Sequence, residues 1–148
     1  MNTPDTKFYK FKMAVINNGK WKSILYKDIM CFKASGNYTQ IFIFENNVIY
    51  NTSCSLIQLK KVLPDIFFAC HRSNIVNMGY ISEISKNHLM LNGNISLPLA
   101  SKKRINLLLR LATLSRITIP NCNNCTNCEQ LNICEDIHPF IKIMLPNS

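Results

Sequence analysis

The sequence has no uninterrupted apolar run approaching the roughly 20 residues that a membrane-spanning helix needs. Its first residues, Met1 to Lys7, lack the basic-then-apolar order of a secretory signal. These two absences lead to the expectation of a cytoplasmic protein with no membrane partner. There is no P-loop, no Gly-rich dinucleotide fingerprint and no close pair of carboxylates with partners. His71 beside Cys70 suggests a thiol nucleophile, but neighbours in a strand point to opposite faces. An enzyme is therefore not expected. Acidic residues are also scarce, with 8 Asp and Glu against 17 Lys and Arg and a net charge of +9. The imbalance is local. Residues 1–112 hold 15 basic against 5 acidic side chains, whereas residues 113–148 hold 2 against 3. The first part is the one expected to attract a polyanion, and nucleic acid, an acidic membrane surface and an acidic protein all fit that charge.

What is present is a chain of 148 residues, 47% hydrophobic, enough for one domain with a real core. Short apolar runs alternate with turn signals. Residues 8–17 alternate roughly between apolar and basic, which reads as a half-exposed strand. Asn17-Asn18-Gly19-Lys20 carries a tight-hairpin signal, and Trp21 to Tyr26 returns, with Trp21 expected in the core or in hairpin packing and base stacking as the alternative. Asp28 to Phe32, Ile41 to Phe44 and Val48 to Thr52 continue an antiparallel meander, with Ser35-Gly36-Asn37 turning at Gly36 or Asn37 through positive φ. Ser55 is placed to cap a short helix that buries Leu56, Leu59 and Leu63 before Pro64 ends it. Tyr80 to Ile84, His88 to Leu91 and Ile95 to Leu99 read as three more strands, the last an edge because of Pro98. Ala100 to Arg104 opens a second helix, for which Ile105, Leu108, Leu109 and Ala112 have the spacing of one buried face.

The stretch from Phe67 to Asn77 reads as strand, exposed polar turn, strand. His71, Arg72, Ser73 and Asn74 would share its tip. A guanidinium reads guanine bidentately, an amide reads adenine, and a hydroxyl and an imidazole satisfy phosphate oxygens. The competing reading is a polar turn that satisfies its own backbone. At the second helix, Lys102 and Lys103 oppose the helix dipole, a small cost that a bound phosphate would reverse.

Three stretches in order carry a resemblance: Ile29 to Tyr38, with Ala34-Ser35-Gly36-Asn37-Tyr38; Phe67 to Asn77, with His71-Arg72-Ser73 and Val76-Asn77; and Ile95 to Arg104. Together, and with Ile81 and Ile84 between the last two, they resemble the LytTR family of bacterial DNA-binding domains over about residues 10–112. The resemblance implies a mainly β fold of small antiparallel sheets stacked side by side, with one or two short helices. It also implies a transcriptional regulator that binds paired repeat sites on double-stranded DNA as a homodimer, with inter-strand loops in place of a recognition helix. The implied contacts fall at Asn37, Tyr38 and Thr39, at His71 and Arg72, and at Ser101 with Lys102; Ser73, Asn74 and Lys103 join them from the reading of the tip and of the helix start. Many relatives carry arginine where this chain has Ser101, and often arginine where it has Cys70. Residues 8–112 are thus expected to form the DNA-binding domain and 113–148 a cysteine-rich extension. DNA binding itself is expected to require no cofactor.

That extension contains Cys122, Cys125, Cys128 and Cys134, four of the seven cysteines. Pairs of cysteines two residues apart form the tight turns of tetrahedral thiolate sites, and three in close succession also occur in ferredoxin-like runs. Zinc and an iron–sulfur cluster both fit, as does a tail of reduced, unliganded thiols. His138 is a candidate substitute ligand. The rival function is accordingly a metal-dependent redox or protein-interaction module in which DNA binding is secondary. Cys31, Cys54 and Cys70, each among apolar neighbours, are expected in the core.

Overall fold

A computed structural model describes residues 4–118, with side chains as far as Thr113. The fold is mainly β, with three antiparallel sheets and two α-helices among the described residues. Two compact units divide at Tyr80 and Ile81.

In the first unit, β1 (Thr6–Phe8), β2 (Lys12–Asn17) and β3 (Lys20–Leu25) form a three-stranded sheet. The single strand expected over residues 8–17 is therefore two strands with a break at Tyr9 to Phe11. Asn18 and Gly19 have φ of 51° and 78°, the pair of positive values that a tight hairpin between right-twisted strands requires. A five-stranded sheet follows, in the order β6 (Ile49–Thr52), β5 (Tyr38–Ile43), β4 (Ile29–Ser35), β8 (Asn74–Asn77), β7 (Phe67–His71). Helix α1 (Leu56–Val62) lies between β6 and β7 in the chain. Ser55 caps it as its sequence indicates: the hydroxyl accepts from Gln58 N at 3.2 Å, and the Gln58 side chain accepts from Ser55 N at 2.8 Å. Such a cap is worth about 0.5–2 kcal/mol to a helix end.

One core joins these elements. Met13, Val15 and Ile24 from the small sheet meet Phe32, Ile41 and Ile75 from the large one, with Leu56 and Leu59 of α1 and the edge-on ring of Phe67 closing it. A polar clamp pins β1 to β6 beside this core. The Asp5 carboxylate accepts from Ser53 N, Thr52 Oγ1 and Thr6 Oγ1. Partial burial pushes the Asp5 pKa up, but these donors outweigh it and hold the group below its ordinary value.

In the second unit, β9 (Ile81–Ile84), β10 (His88–Leu91) and β11 (Ile95–Pro98) form the third sheet, with β11 and its Pro98 at an edge. Helix α2 runs over Ser101–Thr118. Its buried stripe is Leu107, Leu108 and Leu111, while Ile105 and Leu109 are 67% and 61% exposed. The face expected from spacing is thus off by one residue, about 100° of rotation. Five of the residues from Ile105 to Leu111 are large and aliphatic, so two neighbouring stripes are equally apolar and periodicity cannot choose between them. Cys31 and Cys70 are fully buried and Cys54 is half-buried.

Candidate nucleic-acid interface

Two hairpin tips project from the same end of the five-stranded sheet. Strand β4 ends at Ser35, opposite Tyr38, leaving Gly36-Asn37 as a two-residue turn. Gly36 has φ of 60°, and an added Cβ there would meet nothing within 4 Å, so only the backbone conformation selects glycine. Strand β7 pairs His71 with Asn74, leaving Arg72-Ser73 as the second turn. Neither Arg72 nor Ser73 has positive φ. The register of β7 shifts between Phe68 and His71, an irregularity of the kind that bends a strand and increases its twist.

The tips are some 35 residues apart in sequence yet adjacent in space, because β8 lies beside β4 with Lys33 opposite Asn74. The ladder ends in a bond from Ala34 N to Ser73 O at 3.0 Å, which ties one tip to the other. Asn37 and Arg72 are exposed, Tyr38 is 59% exposed, and His71 and Ser73 are half-buried. His71 Nδ1 accepts from Ser73 N at 3.2 Å. Accepting there puts the proton of the neutral ring on Nε2, as a donor. An amide, a phenol, a guanidinium, an imidazole N–H and a hydroxyl therefore gather at one edge. Lys33 adds a charge close by, its ammonium 5.0 Å from the Phe42 ring centroid. No acidic residue lies in Lys33–Gln40 or Cys70–Asn77.

Two expected contact residues turn inward. Thr39 is 2% exposed and its hydroxyl donates to Cys54 O at 2.7 Å. It follows Tyr38 on β5, and alternation along a strand sends one out and the next in. Asn74 is 6% exposed, in the ladder opposite Lys33. Asn77, quoted in the motif without a role, is the main brace. Its amide nitrogen donates to Ile29 O at 2.9 Å and Tyr26 O at 3.3 Å, and its oxygen accepts from Gly79 N at 2.9 Å. A buried side chain that fills three backbone valences leaves an amide-sized requirement at that position. The sequence signal for it is an Asn directly after an apolar strand and before Met-Gly, too general to assign by itself.

In the second unit, Ser101, Lys102 and Lys103 are all exposed on the first turn of α2, which contains no acidic residue. Lys103 N donates to Ala100 O at 2.8 Å, a tight opening turn. The free amides and the lysines there present positive charge to solvent.

Among the described residues no group of three or more His, Cys, Asp or Glu converges on a point. Cys122, Cys125, Cys128, Cys134 and His138 lie outside the described residues. Burial pushes the Cys31 thiol up to about 11 and the Cys70 thiol to about 12, the opposite of what a nucleophile or ligand needs. No described helix is long and apolar enough to cross a membrane.

The family profile described as the LytTr DNA-binding domain matches residues 19–112. No curated protein matches the chain. Among solved structures, the chain is similar to the LytTr DNA-binding domain of a protein described as a methyl-accepting/DNA response regulator from Bacillus cereus. The TM-score is 0.61 at 21% identity, covering 70% of this chain and 98% of that one.

Proposed function

The chain belongs to the LytTR family of DNA-binding domains, and from that premise we propose that it is a transcriptional regulator reading double-stranded DNA sequence-specifically through inter-strand loops. Arg72 is the base reader, with Asn37 and Tyr38 beside it on the neighbouring tip. His71 and Ser73 donate to phosphate oxygens. Lys102 and Lys103, with Ser101 and the free amides of α2, take a further phosphate. Thr39 and Asn74 support the loops and touch no DNA. Paired repeats occupied by two copies of the chain complete the reading. The observation that carries it is the Ala34–Ser73 bond, which holds two polar, acid-free tips side by side at one end of a sheet.

A titration of the full chain against a mixed-sequence duplex tests the charge. Neutralising roughly six phosphates would cost about a thousandfold in affinity between 50 and 200 mM salt. A flat profile would sink the proposal. Selection of binding sites from random duplexes tests the specificity, and recovery of no shared sequence would leave only non-specific binding. The same titration against acidic liposomes separates DNA from a membrane surface.

The four cysteines Cys122, Cys125, Cys128 and Cys134 support a second, independent reading through their spacing. They hold one zinc ion or one iron–sulfur cluster, whose presence adjusts dimerisation or DNA binding.

A further inference from the structure

The hairpin of β2 and β3 points the same way as the two contact tips. Its closed end is fixed by the polar clamp. Thr52 pairs with Thr39, one step from Tyr38, and the Asp5 carboxylate accepts from Ser53 N and Thr52 Oγ1. The Asp5 carbonyl in turn accepts from Ile16 N at 3.0 Å, and Thr6 pairs with Val15. The open end of the hairpin is fixed by the chain itself. Leu25, opposite Lys12, lies shortly before Ile29, where β4 begins. Between these anchors β2 runs from the Ile29 end of the large sheet to the level of Thr39 and Thr52. Asn18-Gly19 then turns beyond that level, at the end of the unit that carries Asn37 and Tyr38.

Charge is sorted along the same axis. The acidic residues of the first unit are Asp5, Asp28, Glu45 and Asp65. Three of them lie at the Ile29 end: Asp28 O accepts from Phe44 N, beside Glu45, at 3.1 Å, and Asp65 is close before Phe67, the partner of Asn77. Asp5 alone is at the tip end, and its carboxylate is engaged by Ser53, Thr52 and Thr6. Lys20 and Lys22 are exposed beside the hairpin turn, Lys20 opposite Asn17 and Lys22 opposite Val15. Alternation puts both side chains on one face of β3. Trp21 between them shares the other face with Ile16. It is 41% exposed, and the Lys7 ammonium lies 4.4 Å from its ring centroid. An ammonium held over the ring occupies surface that a stacked base would need, so the hairpin suits a phosphate backbone better than an unstacked base. Lysines on β3, an edge strand, also discourage edge pairing. That role does not explain why the acidic residues gather at the opposite end. A field of one sign around the tips serves a polyanion that approaches them.

We infer that the β2–β3 hairpin is a further DNA contact, with Lys20 and Lys22 binding phosphates that flank the bases facing the Asn37–Tyr38 tip. The inference rests on the proposed reading of DNA by the tips and adds to it a contact outside the three loops.

Salt titrations of the full chain on a mixed-sequence duplex test it, with Lys20→Ala/Lys22→Ala and Lys10→Ala/Lys12→Ala as paired variants. Both pairs remove exposed positive charge from the amino-terminal part of the unit, but Lys12 is opposite Leu25, at the far end. Loss of Lys20 and Lys22 should lower the salt slope by about two. The parent should then lose about tenfold more affinity than the variant between 50 and 200 mM salt. Loss of Lys10 and Lys12 should leave the slope as it was, and Lys20→Arg/Lys22→Arg should keep the parent's. Equal loss from the two alanine pairs would reduce the hairpin to bulk charge and overturn the inference. An unchanged slope in Lys20→Ala/Lys22→Ala would also overturn it while leaving the tips as the reader. If the parent binds no duplex, the reading by the tips fails and the hairpin contact falls with it. Binding to phosphatidylserine vesicles that depends on Lys20 and Lys22, with duplex binding unaffected by them, would give the surface to a membrane and overturn the inference.

Discussion

Replacing Arg72 by alanine tests the proposed readout most directly. The side chain is exposed on a two-residue turn, and the neighbouring bonds from Ser73 N to His71 Nδ1 and from Ala34 N to Ser73 O do not involve it. Stability should stay within about 0.5 kcal/mol of the parent, as for surface changes elsewhere. Binding should not. A bidentate contact to a base edge discriminates by about 1–3 kcal/mol, which is roughly five- to 150-fold in affinity. The loss should fall on the selected site and relax preference at one base position. Lys102→Ala should instead weaken cognate and scrambled duplexes alike and lower the salt slope by about one. Anisotropy titrations of both variants on both duplexes, at several salt concentrations, separate the roles. If Arg72→Ala weakens every sequence by the same factor, Arg72 is a phosphate ligand and the assignment fails. If its melting temperature drops by several degrees, the tip is not the free surface described above.

Three further outcomes follow from the geometry. Asn77→Ala removes three hydrogen bonds at a 3%-exposed site and should cost about 2–4 kcal/mol; a loss below about 1 kcal/mol in urea unfolding would show that the brace is redundant. Thr39→Val keeps the shape but loses the bond to Cys54 O; it should cost about 1 kcal/mol with little change in DNA affinity, and a large affinity loss in a stably folded variant would restore Thr39 as a contact. Cys31 and Cys70 have thiols raised to about 11 and about 12, so above pH 9 the unfolded chain releases protons that the folded chain retains. Stability should decline from about pH 9 towards 12, and both thiols should resist alkylation until the protein unfolds; fast native labelling would contradict their burial. For the cysteine cluster, protein purified without air should carry about one zinc per chain without colour, or the brown absorption of an iron–sulfur cluster. Absence of both, with all four thiols freely titratable, would remove the metal from the account.

Much was legible in the chain because turns and caps are local chemistry. Asn18-Gly19 can adopt two successive positive φ values at little cost, Gly36 one, and Ser55 with Gln58 closes a helix start through contacts three residues apart. Alternation then places strands between them, and the polar tip His71 to Ser73 stands out because nothing apolar interrupts it. Other features depended on what a segment packs against. Leucine-rich α2 offers two adjacent apolar stripes, and only its packing selected Leu107, Leu108 and Leu111 over Ile105 and Leu109. Thr39 looks like a loop contact beside Tyr38, yet one step along β5 reverses its direction. The pairing of β8 with β4 crosses some forty residues of chain and alone brings the two tips together. Asn77 became a brace only because that same pairing carries it to the carbonyls of Tyr26 and Ile29. Local sequence determined the parts and their turns; which faces meet was decided by long-range pairing, because a side chain's partner across a sheet is not encoded in its neighbours along the chain.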